Sequence, residues 1–251
     1  MKRTWQVRGA VTLLSLIVVI SLPAALGAIP AGADTPQVEA SLGTWSFRHG
    51  NPLPESDGSF VVNVDYAKGS AAEVRAAAAA MNVYAEQLAL GGTPFRATLV
   101  FTMPLTVDEF TQFAAKTGIA PLGSIVRLVQ PDGIRVTMSV PPVWSKDEQG
   151  RPRLGQAVPG QVPFDGAALA NMRSRHPDDR LLGVISVDIV LDTPTFQRVR
   201  GTPEVFAVDI LQEVVTKQVQ QRHRNTATQE IHVRQSQLYW AMEDTGLAVS
   251  R

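Results

Sequence analysis

The chain has 251 residues, 45% hydrophobic and 18% charged, which is enough apolar material for one large or two small globular domains and is not a composition of disorder. Lysine plus arginine and aspartate plus glutamate are equal at 23 each, which gives no support for a nucleic-acid-binding protein, since such domains are normally basic. The absence of cysteine excludes thiol catalysis, zinc–thiolate and iron–sulfur sites, disulfides and a lipid-bearing cysteine.

The N-terminus has the pattern of an export signal. Three cations within the first eight residues precede residues 9–29, which contain no charged residue. Residues 31–33 (Ala-Gly-Ala) carry the small side chains that a signal peptidase accepts, and residues 25–27 (Ala-Leu-Gly) are a weaker candidate. The pattern predicts a signal peptide or N-terminal membrane anchor over residues 1–33.

Cleavage of the N-terminal segment would give a secreted protein, and its retention would give a membrane-tethered one. A run of 21 uncharged residues is long enough to cross a bilayer if it is not cut, and its positive flank would stay inside. In either case we expect the rest of the chain to be extracytoplasmic, secreted or tethered to the cytoplasmic membrane of a bacterial cell. An exported domain without cysteine must be held together by packing alone.

Beyond this segment the chain begins irregularly and then becomes patterned. Residues 34–58 are rich in glycine, proline and serine, which predicts a linker or irregular lead-in to an α+β domain over 59–211. Alternating apolar and polar residues predict a strand over 60–66. Ser70 and Glu73 form a capping box for a helix that runs to about residue 90.

The stretch 97–130 predicts a strand–helix–strand unit. Apolar residues alternate up to Leu105, and a capping box of Thr106 and Glu109 then opens a helix that stops at Gly118. A second strand follows, and residues 131–133 (Pro-Asp-Gly) predict a hairpin turn into one more strand.

A second unit over 183–211 repeats the first at a constant offset of 86 residues. Six apolar positions map without a gap: Leu99 to Ile185, Phe101 to Val187, Met103 to Ile189, Leu105 to Leu191, Phe110 to Phe196 and Phe113 to Val199. Two βαβ units in one small domain predict a ferredoxin-like arrangement, an antiparallel sheet with both helices on one face.

Two segments offer candidate partner-binding or ligand-binding residues outside the repeats. Residues 141–166 form an insertion rich in proline and glycine, and long loops of this kind are functional or mobile. Its candidate partner-binding residues are Trp144, Arg151 and Arg153. Ahead of the second unit, His176, Asp178 and Asp179 form a cluster that could hold a cation or act in acid–base chemistry, or that is a solvated turn.

The sheet itself supplies a further candidate. Thr102 maps onto Asp188 through the offset, and Thr98 and Ser186 lie on the same, less apolar side of the strands. If the sheet face opposite the helices is open, these polar residues could bind a ligand; a merely solvated face is the alternative.

Residues 212–251 predict a polar C-terminal helix and tail. The stretch 217–234 is the most basic part of the chain, and its partner in an exported protein would be an anionic surface such as a wall polymer or lipid headgroup. The alternative is a solvated helix end at which cations complement the helix dipole.

No motif of a common enzyme or cofactor family occurs, and none of the four histidines stands at metal-ligand spacing from another. We therefore expect no cofactor and no metal. The sequence favours an exported, membrane-associated and non-catalytic binding, assembly or regulatory module of the cell envelope, with an envelope protein as its partner. Two alternatives stay open, namely a hydrolase that uses Asp178 and Asp179 and a propeptide-like protease inhibitor.

Overall fold

The computed structural model describes residues 38–42, 45–49, 53–54, 60–65, 69–146, 152–154, 163–222, 231–235 and 237–249. All of them belong to a compact unit that spans Thr35–Arg251. The predicted signal peptide or anchor lies outside the described residues. Within these ranges, no helix combines the length and the apolar character that a membrane crossing requires.

The described residues form a mixed α+β domain. Its strands are β1 (Val38–Leu42), β2 (Trp45–His49), β3 (Leu53–Pro54), β4 (Phe60–Asp65), β5 (Phe95–Leu105), β6 (Pro121–Val129), β7 (Arg135–Val140), β8 (Trp144–Lys146), β9 (Pro152–Leu154), β10 (Arg180–Leu191), β11 (Val205–Asp209) and β12 (Ile231–Gln235). Its helices are α1 (Ala71–Leu90), α2 (Val107–Thr117), α3 (Gly166–Arg175), α4 (Thr193–Val199), α5 (Leu211–Arg222) and α6 (Leu238–Asp244).

The main sheet has five antiparallel strands in the order β11-β5-β10-β6-β7. Its two central strands, β5 and β10, are the first strands of the two units predicted from the 86-residue offset. Leu99 lies opposite Val187, and nearly all of the matched apolar positions are buried. Gly183 lets the two strands approach, because a Cβ atom there would lie 2.2 Å from the backbone oxygen of Leu105.

Helices α2 and α4 cover one face of this sheet. The ring of Phe101 on β5 meets Phe110 and Phe113 of α2 edge-on, with centroids 5.9 and 5.3 Å away. Arg198 of α4 donates from Nε to the backbone oxygen of Thr117 at the end of α2 (2.6 Å), so the two helices touch. Both predicted features of α2, its capping box at Thr106 and its end at Gly118, are confirmed.

A second sheet joins β1, β2, β4 and β12 in that order, with β3 on the other part of β4. Strand β12 pairs parallel to β4, although their partners Ile231 and Phe60 are far apart in sequence. The predicted irregular lead-in therefore contains three strands, and the predicted C-terminal tail contains β12 and α6. The strands of the lead-in pair with sequence neighbours but are short and separated by glycine and proline residues, whereas β12 pairs with β4 at the other end of the domain, which no local pattern can signal.

The two edges of the main sheet have different neighbours. Helix α1, whose predicted capping box of Ser70 and Glu73 is confirmed, packs beside the edge strand β11. Asn82 of α1 accepts from the N–H of Val208 at 2.8 Å and donates to the backbone oxygen of Phe206 at 3.5 Å. At the opposite edge, β7 pairs with β6 alone among the described strands.

The predicted hairpin between β6 and β7 is confirmed. Gly133 adopts a φ of +86° and donates to the backbone oxygen of Gln130 at 2.9 Å, while Asp132 Oδ1 accepts from the N–H of Ile134 at 3.0 Å. The glycine is needed because a side chain is disfavoured at that φ. In the insertion that follows, β8 and β9 pair with each other, and Pro142 bridges to Phe164.

Candidate functional site

The polar pair at the centre of the main sheet is Thr98 on β5 and Asp188 on β10. They are direct cross-strand partners, and the Thr98 hydroxyl donates to Asp188 Oδ1 at 2.5 Å. Burial raises the pKa of Asp188 above its ordinary value, while the Thr98 hydrogen bond and the charge of Arg96 act in the opposite direction. Asp188 is thus a partly desolvated carboxyl group with a fixed donor, on the sheet face opposite α2 and α4.

The same row continues onto both neighbouring strands. Asp209 of β11 lies opposite Thr98, and Gly123 of β6 lies opposite Asp188. Asp209 is only 2% exposed, and its Oδ1 accepts from the N–H of Leu211 at 2.8 Å where α5 begins. Sequence reasoning missed Asp209, for which the available signal was a carboxylate at the end of an otherwise apolar strand. Its bond to Leu211 is a local turn between β11 and α5.

Ser186, a predicted ligand-binding residue, is fully buried and donates from its hydroxyl to Gln237 Oε1 at 3.0 Å. Gln237 directly precedes α6, which lies over this part of the sheet face. The premise of an open face therefore does not hold at Ser186. The hydroxyl holds the C-terminal segment in place.

An ion pair fixes α6 to the same face. Arg127 of β6, 7% exposed, forms a paired contact with Glu243 of α6, and Arg135 of β7 lies 3.4 Å from the same carboxylate. Burial, with the charge of Glu243, raises the pKa of Tyr239 to about 12. Removing one partner of a buried pair leaves an uncompensated charge, so this cluster has a structural use.

Thr102 is the third predicted residue of the sheet face, and it contacts a different part of the fold from Ser186 and Asp188. Its hydroxyl donates to the backbone oxygens of Pro203 and Glu204 at 3.2 and 3.3 Å, and its N–H donates to the Glu204 oxygen at 2.9 Å. Its own carbonyl accepts from the N–H of Val249 at 3.3 Å. These bonds tie the turn after α4 and the C-terminal segment to β5.

The predicted cluster of His176, Asp178 and Asp179 forms the turn between α3 and β10. Asp179 donates from its N–H to the His176 backbone oxygen, and its Oδ2 lies 3.2 Å from His176 Nδ1, while Asp178 is exposed. Asp179 and Asp188 are nine residues apart along an extended strand, which is roughly 30 Å. The structure therefore does not bring this turn together with the Thr98–Asp188 pair.

The candidate partner-binding residues lie in or beside the β8–β9 hairpin. Trp144 begins β8 opposite Leu154, and Arg153 of β9 lies opposite Ser145. Arg151 lies outside the described residues. The hairpin follows β7 in the chain and forms a separate two-stranded sheet.

No group of three or more acidic or histidine side chains that could hold a metal ion occurs among the described residues. The chain matches no protein-family model, no curated protein and no solved structure. The described contacts of the predicted sheet-face residues join one part of the fold to another. Among the described strands of the main sheet, β7 has one backbone edge that pairs with no second strand.

Proposed function

We propose that this chain is an exported, membrane-associated module of the cell envelope that acts by binding or assembly rather than by catalysis. The binding role is supported by a difference between the predicted polar side chains, which bond within the fold, and the backbone edge of β7. Thr102 and Ser186 are engaged inside the fold, whereas β7 leaves one backbone edge without a partner in the described residues. Exposed strand edges are templates for added strands.

Export rests on the N-terminal sequence, a short cationic segment followed by 21 uncharged residues. Retained as an anchor, residues 9–29 would hold the domain at the cytoplasmic membrane, and the linker that follows would carry it outward. The hydrolase alternative has little support from the turn after α3, because Asp179 is paired with His176 and Asp178 is exposed.

The proposed core is ferredoxin-like. Strands β5, β6, β10 and β11, numbered one to four in the two units, lie side by side in the order four, one, three, two. This order, with α2 and α4 as the two crossovers, is what two interleaved βαβ units require. Strand β7 is then an addition at the edge beside the second strand, and the fold by itself selects no function.

Export is tested with alkaline phosphatase fused after residue 251, in the full chain and in a chain without residues 2–33. We expect enzyme activity only when the N-terminal segment is present, because this reporter matures outside the cytoplasm. Equal activity of the two fusions, or none in either, would contradict export.

Binding is tested by placing a photoreactive amino acid at Trp144, which follows β7 in the chain, and at the exposed Gln112 of α2 as a matched control. Irradiated membranes of the natural host should yield a specific adduct from position 144 and none from position 112. Absence of any adduct at position 144, or the same adducts at both positions, would count against a binding surface in this region.

A further inference from the structure

The free edge of β7 has a defined hydrogen-bonding pattern. Gln130 donates from its N–H to the Ile134 oxygen at 2.8 Å, and bonded and non-bonded pairs alternate along an antiparallel ladder. The pairs of β6 with Val136, Met138 and Val140 are therefore the bonded ones. The N–H and C=O groups of the alternate residues point away from β6: Arg135, Thr137 and Ser139.

Among the described residues, this edge lacks the usual protection. Natural edge strands are blunted by proline, lysine or a covering element, but β7 contains neither residue type. Its one charge, on Arg135, lies 3.4 Å from Glu243 on the α6 side of its own sheet. No other described residue bonds to the outward backbone groups of Arg135, Thr137 and Ser139; just beyond β7, Asp165 donates to the Pro141 oxygen and Phe164 bridges to Pro142. Beside Arg135, Ile134 is 56% exposed.

We propose that two copies of the chain pair antiparallel through β7, with Thr137 opposite Thr137 on a twofold axis perpendicular to the sheet. The two sheets then form one sheet of ten strands. This inference deepens the proposed assembly role and rests on it. A strand edge pairs with any chain that offers a matching backbone, so the choice of a second copy depends on how well β7 complements itself.

The side chains of β7 are self-complementary in this register. A twofold axis perpendicular to the sheet keeps each face on its own side, so residues of like face lie opposite one another. Val136 then faces Met138, both partly buried, which extends the apolar row on the α2 side, while the exposed Ile134 lies opposite Val140, which its own chain already buries. On the α6 side, Arg135 faces Ser139, so no like charges meet.

Hydrogen bonding selects the same register. With Thr137 at the centre, the outward groups of three pairs all find partners, which gives six backbone hydrogen bonds. Centring on Met138 would oppose Arg135 to Pro141, which has no N–H and whose oxygen already accepts from Asp165. Centring on Val136 would require the Gly133 N–H, which is already bonded to Gln130.

The test uses the full chain, whose lack of cysteine makes single cysteines specific reporters. In the paired strands the two Thr137 Cα atoms would be about 5.5 Å apart, within disulfide range. The T137C chain should convert largely to a disulfide-linked dimer when membranes are oxidised. S139C is the register control, because the two positions would lie roughly 13 Å apart; S174C, on the exposed side of α3, is the control for random collision.

A second variant guards against misfolding. T137P removes an outward N–H, so the full chain in detergent should change from dimer to monomer in sedimentation while its far-ultraviolet circular dichroism is unchanged. A monomeric wild-type chain, or equal cross-linking of all three cysteine variants, would overturn the dimer. A monomer that is still exported refutes only the dimer, whereas T137C cross-linking in a chain retained in the cytoplasm refutes the export role and leaves the dimer standing.

Discussion

The two edges of the main sheet differ in whether the outward backbone groups of the edge strand are hydrogen-bonded within the domain. At β11, the side chain of Asn82 reaches from α1 and satisfies the N–H of Val208, so another strand cannot add there. At β7, no described side chain bonds to the outward backbone groups. A domain with one closed edge and one edge that has no partner in the described part of the chain can pair on one side only, which favours a closed dimer over an open fibre.

The closed edge depends on close packing of α1. Ala77, Ala78, Ala85 and Ala89 are all buried, and their small side chains let the helix lie against neighbouring elements. Asn82 interrupts that apolar surface at the point where a polar side chain can meet β11.

The largest expected effect comes from proline in β7, at two adjacent positions. M138P removes an N–H that bonds to β6, so it should lower the free energy of unfolding by on the order of 3 kcal/mol. T137P removes an outward N–H and should cost about 0.5 kcal/mol or less when compared with the monomeric wild-type chain. Urea denaturation at low protein concentration measures both.

Similar losses for the two prolines would show that the outward and inward positions are wrongly assigned. Reversal of the order would place the free backbone groups at Val136, Met138 and Val140 instead. Either result would also remove the register proposed for the dimer, because that register depends on the same alternation.

The local signals in this sequence predicted local structure well. The capping boxes at Ser70 and Thr106 and the turn at residues 131–133 all depend on contacts within a few residues, and all are confirmed. Strand β12 shows the opposite case. Its pairing with β4 joins the two ends of the domain, and no local pattern in a polar segment can signal such a partner.

A middle-sized effect is expected at the closed edge. N82A leaves the Val208 N–H without its acceptor, which should cost about 1–3 kcal/mol of unfolding free energy. Hydrogen exchange of the Val208 amide should accelerate at the same time. N82D keeps an acceptor at the 2.8 Å position and should lose less stability. Slow exchange at Val208 in N82A would mean that α1 closes this edge without the Asn82 hydrogen bond.

The candidate site was predictable in part, for a physical reason. Alternation along β5 and β10 placed Thr98, Ser186 and Asp188 on the less apolar face, and the structure pairs Thr98 with Asp188 directly. Gln237 covers Ser186, although the two residues are 51 positions apart in the sequence. The periodicity of a strand carries no information about such a distant contact. Polar residues on a sheet face can therefore be found from sequence, but what covers them cannot.

The smallest expected effect lies midway between the two edges, at Asp188. Its pKa is raised in the folded state, chiefly by burial, so folding favours the protonated form. The resulting contribution to stability is complete below the unfolded pKa, near 3.8, and is lost as the pH rises through the higher folded pKa. D188N does not titrate and still offers an acceptor to Thr98. Urea denaturation from acid to neutral pH should show D188N gaining stability relative to wild type as the pH rises, followed by a constant difference.

A difference in unfolding free energy that does not vary with pH would assign the effect of D188N to packing rather than to charge. Because Asp188 touches neither edge strand β7 nor the Asn82 contact, the oligomeric state should be the same in both chains, and a change would mean that the edges communicate through the middle of the sheet.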